Sequence, residues 1–76
     1  MTFEYKKLRG KLAESYLTQS SLAQELNIGR TSLNRKLNNH IEFTQFEILR
    51  ICNILKIPYN EIPQYFFTPK VQKREQ

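Results

Sequence analysis

The stretch LTQSSLAQELNIGRTSLNRKLNN, residues 17–39, decides the fold. Thr18 is a hydroxyl residue suited to capping a helix N-terminus, since its oxygen accepts a hydrogen bond from a backbone N–H left free in the first turn. Behind it Leu22, Ala23 and Leu26 fall on one stripe, so the spacing predicts a helix over about 19–26. Asn27 tolerates the left-handed conformation that ends helices, Ile28 offers an apolar plug, and Gly29 permits a sharp bend. A further helix is expected over about 30–38. Two short helices joined by three residues is helix-turn-helix geometry.

The second of these helices has little to give a core. Leu33 and Leu37 set its inward direction. At about 100° per residue, Thr31, Arg35 and Asn38 then lie nearly opposite, with Ser32, Asn34 and Asn39 on the flanks. Arg30 stands at the N-terminal tip, where its long side chain reaches past the end. Arg pairs bidentately with guanine and Asn with adenine, while Ser and Thr serve base edges or phosphate. A polar outer face also suits any solvated surface helix; the preceding turn is what favours DNA.

Working outward, Tyr5, Leu8, Leu12, Ala13, Tyr16 and Leu17 recur at amphipathic spacing and predict a helix over about 3–16. Its outer face carries Lys6, Lys7, Arg9 and Lys11, and Lys6, Lys7 and Lys11 are read as a solvated face supplying long-range attraction. Gly10 is either a close-packing point or an inert weak spot. On the other side, NNHIEF reads as a loop, and Thr44 with Glu47 forms a capping box that starts a fourth helix. Phe43 can staple that start against Ile48, and Ile48, Ile51, Cys52 and Leu55 form the buried stripe up to Pro58. IPYNEIPQYFF fits a short fifth helix with Asn60 as cap and Pro63 in its first turn. Of Tyr65, Phe66 and Phe67, some close the core and the remainder are candidate dimer contacts or lead into a short strand through FTPKVQ.

With 76 residues the chain fits one domain, expected over 1–69, with 70–76 as a frayed tail. Twelve Lys and Arg against seven Asp and Glu give a formal charge of +5, which points to an anionic partner. The single Cys52 excludes an internal disulfide framework, and no His/Cys cluster offers a metal site. No run of about 18 apolar residues suggests a membrane span, so a cytoplasmic protein is expected. No nucleophile–base pair or carboxylate pair has a supporting motif, so neither catalysis, a cofactor nor a small-molecule ligand is expected.

Residues 17–39 resemble the helix-turn-helix of the lambda-repressor-like superfamily, the Cro/CI-type (XRE-like) small phage and bacterial repressors. The likeness extends more weakly to the flanking helices. It implies an all-α compact bundle of about five helices that binds operator DNA as a dimer, and the whole chain looks like a stand-alone Cro-like regulator of a phage or prophage. Carried over by position, it implies that Gln19 contacts phosphate and braces the recognition helix, that Ala23 allows close helix approach, and that Leu22, Leu26, Ile28 and Leu33 pack. Arg30, Thr31, Ser32, Asn34 and Arg35 fall at the base-reading positions, and Asn38, with Lys36 and Asn39 beside it, at the phosphate-holding end. Asn27 replaces the usual turn glycine. Lys36 stands where many members are apolar, with Leu37 taking the packing role, so the end of this helix is expected to be rotated.

The expected function is therefore a sequence-specific DNA-binding transcriptional regulator, a dimer reading a palindromic operator in double-stranded DNA and acting by occupancy. The competing expectation is a protein-interaction module, an antitoxin-like or anti-repressor partner that keeps the helix pair for packing. RNA binding is disfavoured, since no exposed aromatic platform suits unstacked bases.

Overall fold

A computed structural model describes residues 2–70. The expected fold class holds: five helices run as α1 (Lys6–Glu14), α2 (Gln19–Leu26), α3 (Arg30–Leu37), α4 (Gln45–Leu55) and α5 (Ile62–Phe66), with a 3₁₀ turn over Tyr59–Glu61 leading into the last. Local chemistry explains the central boundaries. The Thr18 hydroxyl accepts from the Ser21 N–H at 3.0 Å, and Asn27 closes α2 in the left-handed region at φ 59°. The Ile28 N–H then reaches back to the Ala23 carbonyl at 3.0 Å. Gly29, expected to make the bend, is extended at φ −71°, so the freedom the turn needs is supplied by Asn27. At α4 both halves of the capping box form: Glu47 N–H to Thr44 Oγ1 at 3.1 Å, and Thr44 N–H to Glu47 Oε1 at 2.8 Å.

The ends of the chain depart from expectation. The first helix, expected over 3–16, begins only at Lys6, because residues 2–4 are taken by long-range partners. Glu4 N–H donates to the Thr68 carbonyl and Lys70 N–H to the Thr2 carbonyl, both at 2.9 Å. The short C-terminal strand is thus reduced to one antiparallel bridge between Phe3 and Pro69; residues 71–76, including most of the expected tail, lie outside the described residues. Helix α1 ends early because the chain reverses at Tyr16, φ 64°. That puts Tyr16 in solvent at 96% exposure, off the apolar stripe it was assigned to. Asn60 lies inside the 3₁₀ turn and does not cap α5, whereas Pro63 does occupy its first turn.

One apolar cluster holds the bundle together. Tyr5, Leu8 and Leu12 of the α1 segment meet Leu22, Ala23 and Leu26, Leu33 and Leu37, Ile51, Cys52 and Leu55, and Ile57, Tyr65 and Phe66. Phe43, just ahead of the α4 cap, is wedged edge-on between Tyr5 and Phe66, with ring centroids 5.4 and 5.5 Å away. It and Ile48 both pack against the core, as the staple pattern requires. Ala23 is buried where α2 packs on α3, and only a small residue allows such helices to approach closely. Burial raises the pKa of the Cys52 thiol above its ordinary value, and burial followed by the nearby charge of Glu42 does the same for the Tyr5 phenol.

Candidate nucleic-acid interface

Three residues turn α3 inward: Leu33, Lys36 and Leu37, at positions i, i+3 and i+4 of one helical face. Lys36 is the unexpected member. Placed by the resemblance at the phosphate-holding end, it is 8% exposed, its ammonium 2.9 Å from Glu47 Oε1 and donating to the Glu42 carbonyl at 2.9 Å. The same Glu47 oxygen caps α4 through the Thr44 N–H, so one carboxylate joins the end of α3 to the start of α4. Asn39 is likewise committed. At φ 66°, its side-chain oxygen accepts from the Phe3 N–H at 2.9 Å and its amide donates to the Phe3 carbonyl. Lys36 and Asn39, both expected at the phosphate-holding end, are thus tied to partners inside the fold.

What α3 turns outward is polar. Arg30, Thr31, Asn34, Arg35 and Asn38 are all exposed, and Ser32 is half-buried on the flank. Gln19, the first residue of α2, comes to the N-terminal end of this face. With Arg30, Thr31 and Asn34 it lines an open notch of about 370 Å³. The α2 N-terminus beside it, its early N–H groups pointing outward, adds a partial positive charge. Among the described residues the sole ion pair is Lys36–Glu47, so Arg30 and Arg35 present their charge without a carboxylate partner.

A second feature escaped the sequence. Arg9 of α1, read from sequence only as part of that helix's outer face, lays its guanidinium on the end of α3. Nη2 donates to the Leu37 carbonyl at 3.3 Å and to Asn38 Oδ1 at 3.1 Å. The Asn38 amide donates in turn to Asn34 Oδ1 at 3.3 Å. A cation on one helix thus orients two amides on the presented face of another. No local signal could have found this, because it depends on how α1 crosses α3.

The aromatic segment near the C-terminus divides. Tyr65 and Phe66, named as candidate dimer contacts, are buried in this chain's own core, while Phe67 stays exposed. A more exposed phenylalanine, missed in the sequence, is Phe46 at 79% on the outer side of α4, with Leu49 one turn on. The capping box drew attention to the start of that helix and away from what its second residue presents.

The chain is similar in fold to the solution structure of the modulator of repression (MOR) of the temperate bacteriophage TP901-1 from Lactococcus lactis. The two are 32% identical, the match covers 95% of this chain and 97% of that one, and the TM-score is 0.75. A search of curated proteins finds no significant match. The family model described as "Protein of unknown function (DUF739)" matches residues 1–69, and the chain belongs to that family.

Proposed function

We propose that this chain is a regulator of a phage or prophage switch that binds duplex DNA sequence-specifically, with α2 and α3 acting as a helix-turn-helix of Cro/CI type. The carrying observation is the outer face of α3, where Arg30, Thr31, Asn34 and Arg35 stand exposed together on a helix anchored by its opposite side. These are the residue types that read base edges in a major groove. Gln19 at the exposed N-terminal end of α2, and Asn38 held by Arg9, suit phosphate contacts that set register. The likeness to a modulator of repression supports a role in regulating repression. In this reading two copies place their α3 helices about 34 Å apart on a palindromic site, and the protein acts in the host cytoplasm by occupancy, without catalysis or cofactor. Selection of bound sequences from random duplex DNA, followed by titration at several salt concentrations, tests it. An enriched palindromic motif is the expected result, and absence of any enriched sequence overturns the reading.

A second reading, contact with another regulatory protein, draws on Phe46 and Leu49. An aromatic side chain this exposed is the kind that anchors protein interfaces. Phe46→Ser separates the two. Loss of self-association in sedimentation, with operator affinity falling alongside, assigns Phe46 to the dimer; unchanged DNA binding with loss of a protein partner assigns it to that partner.

A further inference from the structure

The far end of α3 carries its own cationic notch, of about 370 Å³, lined by Lys6 and Arg9 of α1, by Lys70 after α5, and by Leu37, Asn38 and Asn39. These cations come from sequence positions that nothing local brings together. The bridge between the chain ends carries Lys70 to the start of α1, where the Lys70 N–H is bonded to the Thr2 carbonyl. Lys6 and Lys70 are exposed. No carboxylate lies within ion-pairing distance of any of the three cations among the described residues. The one acid on the rim is Glu4, half-buried, which leaves an excess of two positive charges. Arg9 is already positioned: two acceptors hold its Nη2, and its other N–H groups are free to pair with an oxyanion. Helix α1 also opens here with no side-chain cap and no acid in its first turn.

We infer that this notch holds a DNA backbone phosphate, distinct from the one at Gln19, with Arg9 as the oriented donor and Lys6 and Lys70 as its flanking charges. The inference rests on the DNA reading above and deepens it. The two notches sit at opposite ends of α3, whose eight residues span about 12 Å. That is too far for one phosphate to serve both. The protein then grips the duplex at both ends of the helix it presents, and the α1 end supplies affinity without sequence preference.

The test compares duplex binding by the wild-type chain, the Lys6→Gln/Lys70→Gln variant and Arg9→Gln across a range of salt. Lys11→Gln/Lys56→Gln, which removes two charges at the opposite end of α1, serves as the control for charge alone. One phosphate contact contributes about 0.9 to the slope of log affinity against log salt. The Lys6→Gln/Lys70→Gln variant should lose that much slope, about eightfold in affinity over one decade of salt, with its preferred sequence unchanged. Among the described residues Lys6 and Lys70 make no side-chain hydrogen bond, so their loss should leave thermal stability as it was. Arg9→Gln should lose slope as well, and Arg9→Lys should recover it in part. If the wild-type chain binds no duplex DNA, both the DNA reading and this inference fall. If it binds and the Lys6→Gln/Lys70→Gln variant keeps the wild-type slope, or loses no more than Lys11→Gln/Lys56→Gln does, only the notch is refuted.

Discussion

Lys36→Met separates the two roles a lysine could have at the end of the presented helix. The side chains of the Lys36–Glu47 pair are 9% and 13% exposed, so the pair is close to buried. Breaking such a pair from one side strands the partner charge and costs roughly 3–5 kcal/mol when burial is complete. With the rim slightly open, and methionine keeping most of the aliphatic stem, about 3 kcal/mol is expected. A 76-residue domain has roughly 4–11 kcal/mol in total, so the loss is a large fraction. At about 4–8 °C per kcal/mol, the melting temperature should fall by roughly 12–24 °C. Glu47→Gln keeps a side-chain acceptor for the Thr44 N–H and removes the charge. The Lys36→Met/Glu47→Gln variant should therefore recover at least half of the loss, since no unpaired ion remains. Urea denaturation of the four proteins in the cycle measures the coupling. A phosphate-binding lysine would behave in the opposite way, with unchanged stability and a shallower salt dependence of DNA binding. Stability of Lys36→Met within about 0.5 kcal/mol of wild type, or additive losses in the double variant, would refute the tie.

Three further outcomes follow from the same geometry. Gly10→Ala should stabilise the protein by about 0.5–1 kcal/mol, because a Cβ there meets nothing within 4 Å and the exposed helix interior otherwise carries glycine's entropic cost; a lower melting temperature would mean that α1 packs more tightly than described. Arg35→Ala should cost on the order of 1–3 kcal/mol in binding to a selected operator and relax preference at one base pair, whereas equal weakening on all sequences would remove Arg35 from base reading. Stability should also decline in alkali. Tyr5 and Cys52 have folded-state pKa values raised above 10.0 and 9.0, so both stay neutral in the fold where the unfolded chain ionises. Their contribution is complete below about pH 9 and is lost as pH rises through 9 and 10 toward the folded values; urea midpoints should show this, and Tyr5→Phe should remove part of the loss.

The central helices were legible because their boundaries are written in adjacent residues. Thr18, Asn27 and the Thr44–Glu47 box each act over three or four positions, and each forms as read. The ends of α1 were not, because what stops the helix at its start is pairing with residues 68–70, and what stops it at its close is a left-handed Tyr16 that sequence would not favour. The placing of Lys36 was half legible. The resemblance marked its position as one where many members are apolar, but the packing role was given to Leu37; the partner that lets a lysine be buried there, Glu47, lies beyond a loop and was read only as a cap. Tyr65 and Phe66 were ambiguous for a related reason, since an aromatic run announces burial without saying against what.

The hydrogen-bond chain from Arg9 through Asn38 to Asn34 has a consequence for grafting experiments. The amides on α3 are aimed by a side chain that α3 does not contain. On the DNA reading, moving residues 30–35 into another five-helix scaffold would transplant the letters of the recognition face without their orientation. A chimera that also carried Arg9 at the matching point of its first helix should inherit more of the binding preference than one carrying α3 alone. Specificity in this fold is then a shared property of two helices, and a substitution on α1, outside the groove, is a route by which it can drift.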